Sequence, residues 1–359
     1  MNPSIMFNGG ARRLARAACA VLCGLALAGA ALADVPNKSA KPAYAEEQTI
    51  QQAEQHDPEP GFGSSASGKP HMDRHYLGAY NDNEGIVILQ RGGNTWRLLR
   101  NGPIALAMAV LVLGTALLIV VYHLIFGPNN PADPPTGRRL VRFTLHQRTL
   151  HWSVAISFVT LALTGLLVTF GKKILLPWMG HEAYFWLAYV SKYIHNFVGP
   201  ALVLFVCLMF VQFVQKHQNS FRNYDGPYLL KAGGLLNHTH PDAGYFNAGE
   251  KLWFWGGLVA LGLLMGVTGL VLDFGNFGQT RYVMQIANYL HIAGATFFIV
   301  GALGHIYLGT IGTPGAFHAM YEGTVDTSWA KSHHRLWYEE VKDRATPAAG
   351  PAGKRGELP

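Results

Sequence analysis

Five stretches of the chain run apolar for twenty residues or more, and the segments between them are polar or irregular. They are Pro103–Phe126, Thr149–Phe170, Ile194–Val214, Leu252–Phe274 and Tyr289–Ile311. A helix that crosses a bilayer needs about 20 predominantly apolar residues, so each stretch predicts one span. None contains Lys, Arg or Glu, and the only Asp, Asp273, lies at an end. A shorter apolar run, Ala17–Ala33, follows Arg12, Arg13 and Arg16 and closes on Ala31-Leu32-Ala33. Basic, then apolar, then small-x-small is the order of a secretory signal peptide; an uncleaved anchor helix is the alternative. Residues 34–102 are rich in Pro, Gly, Ser and acids and predict a largely irregular exported segment. Within it only Gly85–Leu99 alternates enough to order against a partner. The expected fold is an all-α integral membrane bundle: four core helices plus one extra N-terminal transmembrane helix at 103–126.

Composition agrees with that pattern. Half of the 359 residues are apolar and 14% are charged, against about 25% charged in an average soluble domain. Wholesale disorder and a disulfide scaffold are excluded. Cys19 and Cys23 leave with residues 1–33, so a mature chain keeps Cys207 alone, which makes neither an intrachain disulfide nor a cysteine metal site. Loss of Arg12, Arg13 and Arg16 also lowers the net charge from +7 to +4.

The remaining charge reads as topology. With residue 34 outside, 14 Lys and Arg fall on the inner side (138–148, 216–251 and the tail) and four outside, at Lys172, Lys173, Lys192 and Arg281. Basic residues favour the cytoplasmic side. The expectation is therefore a multi-pass protein of a bacterial cytoplasmic membrane, in contact with lipid, its N-terminal arm periplasmic and its C-terminus cytoplasmic. No nucleic-acid partner is expected.

Histidine is the ionisable residue these spans repeatedly admit. Ionisable groups inside a membrane are expensive and mark function. His151 opens the second span inside; His195 opens the third and His291 the fifth, both outside; His305 lies 14 residues beyond His291. Fourteen residues of helix rise about 21 Å and return to within about 40° of the starting direction. Depth thus pairs His195 with His291 at the outer face and His151 with His305 at the inner face. Two histidines facing across a bundle can hold one haem iron axially, so the pattern predicts two b-type haems, non-covalent because no Cys-x-x-Cys-His occurs. Gly165, Gly199, Gly294, Gly301 and Gly304 would let a porphyrin approach the backbone. The alternative for them is close helix packing, as for Gly262-x-x-x-Gly266. His123 ends the first span without a depth partner. His146, His181, His217, His238, His240, His318, His333 and His334, in loops or the tail, and His56, His71 and His75, in the exported segment, are expected to be non-ligands.

From Arg142 to Val341 the chain resembles the cytochrome b (gamma) subunit of membrane-bound respiratory formate dehydrogenases. The matching motifs are Arg148-Thr-Leu-His-Trp152, Ile194-His195 with Gly199, Tyr245-Phe-Asn-Ala-Gly249 before Lys251, and the His291/His305 spacing. Tyr321-Glu-Gly323, Trp329-Ala-Lys331 and His333-His334-x-x-Trp337-Tyr338 extend the match into the tail, leaving 342–359 as a cytoplasmic end. The resemblance implies a dihaem domain at 142–341, with His195 and His291 on the outer haem iron and His151 and His305 on the inner. It also implies a quinone site at Asn247, Gly249 and His305, and two partners: an iron–sulfur (beta) subunit and a molybdenum or tungsten catalytic (alpha) subunit. No formate-oxidising site is expected on this chain. Asn247 has a second reading, as the N-cap of the fourth span with Glu250 completing a capping box. Other readings of the whole are a dihaem subunit of another quinone-reducing complex, such as a nickel–iron hydrogenase, or a non-redox transporter or metal-binding protein.

Overall fold

The structure is a computed structural model that describes residues 91–214 and 218–347. The expected signal peptide, residues 34–90 and the end of the tail lie outside the described residues. The chain is mostly helical, and five helices are long and apolar enough to cross a membrane: Gly93–Phe126, Leu145–Ile174, Leu176–Val214, Ala248–Asp273 and Arg281–Gly309.

Among the described residues, 91–106 and those from 107 on belong to two separate compact units. In the first unit, Arg91–Leu99 is helical rather than irregular, and a π turn at Arg100–Ile104 carries it to Pro103, with the kink at Gly102. Proline lacks the N–H that a regular turn needs, which accounts for a break there.

In the second unit spans two to five each start before their apolar stretch. Hydropathy reports the bilayer, whereas caps and turn residues decide where helices stop. The second span begins four residues early because Thr144 and Gln147 form a capping box, satisfying two orphan backbone groups. The third extends back to Leu176 across a break at Gly180, whose φ of 78° suits a residue without Cβ. The fifth starts at Arg281, behind the Thr280 N-cap. The fourth is composite: an α turn at Ala248–Leu252, a π-helix at Trp253–Leu261 and α-helix from Gly262 to Asp273. Long π stretches are rare and concentrate at functional sites.

Spans two and three pack on each other, and the fourth lies against both the third and the fifth. Gly262 and Gly266 set the third–fourth contact, since a Cβ at either would meet Val206 or Val203 at 3.1 or 3.2 Å. This is the small-residue packing expected of that pair.

One end of the bundle carries a polar cap. Strands β1 (Arg138–Val141), β2 (Thr324–Asp326) and β3 (Thr346–Pro347) form an antiparallel sheet in the order β2-β1-β3, a small addition to a helical fold. Leu140, Phe143, Phe246, Val325, Trp329 and Trp337 make the core beneath it. At its centre the buried Arg142 guanidinium donates from Nη2 to the Tyr245 carbonyl at 2.9 Å, to Glu250 at 3.3 Å and to His334 Nε2 at 3.1 Å. The rings of Phe143, Tyr245, Trp329 and Trp337 surround it at 5.2–5.3 Å, within cation–π range. Arg142 and Lys251 are thus buried structural cations, although sequence alone counts them as surface topology charges. Lys251 Nζ meets Asp225 at 2.7 Å, with both side chains almost wholly buried.

Candidate functional site: two histidine pairs and a cavity

The four membrane histidines meet in the two pairs that depth dictates. The ring centroids of His195 and His291 lie 6.3 Å apart, and those of His151 and His305 lie 6.1 Å apart. His291 and His305 occupy one unbroken helix, Arg281–Gly309, so the two pairs stand about 21 Å apart along it. The second pair lies at the capped end of the bundle.

The His195/His291 pair is oriented by residues that sequence reasoning missed. Thr164 Oγ1 lies 2.9 Å from His195 Nδ1, and Thr268 Oγ1 lies 2.9 Å from His291 Nδ1. Each hydroxyl also donates to its own helix, Thr164 to the Thr160 carbonyl at 2.8 Å and Thr268 to the Leu264 carbonyl at 2.6 Å. With its proton committed there, the hydroxyl can only accept from the ring. The imidazole therefore carries N–H at Nδ1 and keeps a free electron pair on Nε2, the nitrogen available to a metal.

The residue after each threonine makes room for the same ring. A Cβ at Gly165 would stand 3.3 Å from His195 Cε1, and one at Gly269 would stand 3.3 Å from His291 Cε1. Gly165 therefore seats an imidazole rather than a porphyrin face. Gly294 seats Leu264 and Met265, and Gly301 seats Trp253, while Gly199 and Gly304 have no neighbouring atom within 4 Å of a built Cβ. The signal open to a sequence reader was the repeated dipeptide, Thr164-Gly165 in the second span and Thr268-Gly269 in the fourth.

The His151/His305 pair is built differently. His305 stacks on Trp253 at 5.3 Å and 17°, and Trp253 fills the notches left by Gly257 and Gly301. His151 meets Trp152 edge-on at 5.5 Å, and Trp152 Nε1 donates to the Met320 carbonyl at 3.0 Å. Among the described residues nothing hydrogen-bonds His151 Nδ1, which is buried.

Beside His305 opens a cavity of about 530 Å³, whose walls include Asn247, Gly249, Glu250, Trp253, His305, His333 and His334. The three residues predicted for a quinone thus share one cavity. Asn247 also forms the capping box: its Oδ1 accepts from Glu250 N at 2.9 Å, and Glu250 Oε2 accepts from Asn247 N at 2.8 Å. Its Oδ1 thus accepts within the cap, and its Nδ2 donors take no part in it. On the cap side, His334 donates from Nδ1 to the Gly244 carbonyl at 2.8 Å, and burial, then Arg142, holds its pKa well below 6.5. Burial likewise lowers His333 to about 3, with His240 and Arg142 adding to the effect.

Four of the other described histidines have contacts of their own. His123 Nδ1 lies 3.0 Å from the Tyr307 hydroxyl, His318 pairs with Glu322 at 2.9 Å, and the rings of His240 and His333 lie 5.0 Å apart. Among the described residues no group of three or more His, Cys, Asp or Glu could hold a metal ion.

The prokaryotic cytochrome b561 family matches residues 142–323, about half of the chain. The chain is 32% identical over 212 residues to the cytochrome b556 subunit of the nitrate-inducible formate dehydrogenase of Escherichia coli K12, covering 57% of this chain and 93% of that protein. A second Escherichia coli K12 formate dehydrogenase cytochrome b556 subunit is 32% identical over 208 residues, 56% of this chain and 93% of its own length. The Haemophilus influenzae counterpart is 28% identical over 207 residues, covering 56% and 83%. The chain belongs to the prokaryotic cytochrome b561 family, as a cytochrome b subunit of the formate dehydrogenase kind.

A cytochrome b carries haem b, and this cytochrome has donors suited to it. Two imidazoles bonded to one metal at about 2 Å each place their ring centroids about 6 Å apart, close to the separation of both pairs. The fixed Nδ1–H tautomers of His195 and His291 supply the unprotonated nitrogen that such bonding needs.

Proposed function

We propose that this cytochrome is the membrane-anchoring dihaem subunit of a formate dehydrogenase, carrying electrons from a periplasmic iron–sulfur subunit to quinone at the cytoplasmic side. Formate would be oxidised on the catalytic subunit of the complex, which bears molybdenum or tungsten. The observation that carries the reading is the two histidine pairs, each with one member on the Arg281–Gly309 helix, with the Asn247 cavity beside the second.

The roles follow from chemistry. His195 and His291 would hold the outer haem and His151 and His305 the inner one; bound there, haem supplies one-electron transfer. Thr164 and Thr268 keep the outer imidazoles in the metal-binding tautomer, and Gly165 and Gly269 let those rings lie against their helices. Trp253 holds the His305 ring flat at the edge of the cavity. The Asn247 Nδ2 donors would orient a quinone carbonyl, with Gly249 leaving space for the head group. Quinone gains two electrons and two protons on becoming quinol. Glu250, the carboxyl-bearing residue on the cavity wall and hydrogen-bonded to Arg142, would pass those protons inward. Drawing them from the cytoplasm while formate's proton is released outside separates charge, worth about 2.3 kcal/mol per elementary charge per 100 mV.

Purification of the intact complex tests the reading. It should contain an iron–sulfur subunit and a formate-oxidising subunit and should reduce quinone with formate. Association with a nickel–iron hydrogenase instead would overturn the formate assignment while leaving the cytochrome in place. In Asn247→Ala, quinone reduction should fall while formate oxidation with an artificial electron acceptor persists; normal quinone reduction would reject the cavity assignment.

A further inference from the structure

Glu250 shares the cavity wall with a second titratable residue whose neighbour reaches the surface. His333 ends the helix Thr327–His333 and lines the cavity. Against its ring stands His240, from the loop before the fourth span, with centroids 5.0 Å apart and planes at 82°. His240 is partly exposed, and His238, two residues before it, is exposed. The pair thus leads from the surface of the cap to the cavity wall.

The two segments that carry the rings are fastened to each other. Arg335 donates to both carboxylate oxygens of Asp242, at 2.5 and 2.6 Å. Leu336 N donates to the Ala243 carbonyl at 3.0 Å, and His334 Nδ1 donates to the Gly244 carbonyl at 2.8 Å. The loop is also seated at Gly234, where a Cβ would stand 1.8 Å from the Thr239 carbonyl oxygen.

Separation distinguishes this pair from the membrane pairs. Two imidazoles that share one N–H···N hydrogen bond of about 3 Å stand about 5 Å centre to centre. The membrane pairs, at 6.3 and 6.1 Å, leave room for a metal. His240 Nδ1 and His333 Nε2 are both buried without a hydrogen-bond partner among the described residues, so turning the rings until these atoms meet breaks no hydrogen bond. Burial lowers the pKa of both rings, His333 to about 3 with His240 and Arg142 adding to the effect, and His240 with His238 adding. Near pH 7 each ring is therefore neutral, with one N–H and one free electron pair. A neutral imidazole passes a proton by accepting at one nitrogen and donating from the other.

We propose that His240 and His333 form a two-step proton path from water at the capped face to the quinone cavity. The inference rests on the quinone reading of the cavity and names the route by which its protons arrive. His240 takes a proton from water, passes one to His333, and His333 releases its other proton into the cavity. Two passages, together with two electrons from the cytochrome, turn one quinone into quinol and leave both rings neutral.

Turnover of the intact complex from formate to decyl-ubiquinone tests this. His240→Phe and His333→Phe keep a ring and remove its nitrogens. Each should lower kcat about 100-fold, the low end for a positioned proton donor, with KM for decyl-ubiquinone within about twofold. Because the two rings act in series, the double variant should be no slower than the slower single variant. Haem reduction by formate and formate oxidation with an artificial acceptor should persist, which shows that each variant is assembled. His240→Ala only trims a partly exposed side chain and tests the same step if a Phe variant fails to assemble; added imidazole should restore its turnover in part. Turnover near that of the parent in His240→Phe or His240→Ala, a raised KM with kcat unchanged, or losses that multiply in the double variant overturn the relay and leave the quinone cavity standing. If the parent complex does not reduce decyl-ubiquinone, the quinone reading falls, and the relay with it.

Discussion

The Thr164 hydroxyl on the second span lies 2.9 Å from His195 Nδ1 on the third. Because that hydroxyl already donates to the Thr160 carbonyl, the contact fixes both the tautomer and the tilt of the ring. Thr164→Val keeps the shape and removes the acceptor. Outer partners of metal-bound histidines are worth about 10- to 100-fold in affinity, so the variant should hold its outer haem correspondingly less tightly. The midpoint potential of that haem should also rise, because a ring without the acceptor donates less electron density to iron. Redox titration followed optically reads both effects. An unchanged potential and haem content would make Thr164 a packing residue only.

Lys251 and Asp225 form a buried ion pair that pins the loop after the third span to the start of the fourth. Removing one partner of such a pair strands the other charge and costs about 3–5 kcal/mol. Lys251→Met should therefore destabilise the detergent-solubilised protein strongly, while Lys251→Met/Asp225→Leu should recover much of the loss. Recovery stays incomplete because Asp225 also accepts from Arg222 N at 2.6 Å. Thermal unfolding measures both variants. A single-variant cost near that of exposed pairs, about 0–1 kcal/mol, would contradict the buried assignment.

His334 ties the cap to pH. Burial, then the Arg142 guanidinium, depresses its folded pKa well below 6.5. Above pH 6.5 it is neutral in both folded and unfolded chains and contributes no pH dependence. As pH falls below 6.5 the unfolded chain takes up a proton that the folded chain refuses, so stability falls. His334→Gln keeps a donor for the Gly244 carbonyl and an acceptor for Arg142 but cannot titrate. Melting temperatures measured across that range should fall less steeply in the variant than in the parent. His333, lowered to about 3, keeps some slope in both. Parallel slopes would exclude His334 as a contributor.

The features that sequence reveals here are those the bilayer makes costly. Histidines in apolar spans stand out, and a 14-residue interval on one helix sets which of them can meet. Thr164 and Thr268 do not stand out, because threonine is ordinary in a span and its partner lies on another helix. Only the repeat of Thr-Gly hinted at them. Arg142 and Lys251 look like topology charges until the tail and the loop at 225–247 fold over them, since burial of a long cation is decided by distant residues. The π-helix at Trp253–Leu261 leaves no mark in hydropathy, which is as apolar there as in regular helix. Asn247 was legible as a cap, and its structure keeps both that cap and its place on the cavity wall.

Haem content of the purified complex is the most direct measurement of the central claim. Parent protein should carry two low-spin b haems per cytochrome chain, quantified as the pyridine haemochrome, with bis-histidine spectra. His291→Ala should keep one, and so should His151→Ala, each losing a different spectral component. A parent with a single haem, or a His291→Ala variant that retains two, would contradict the two-pair account.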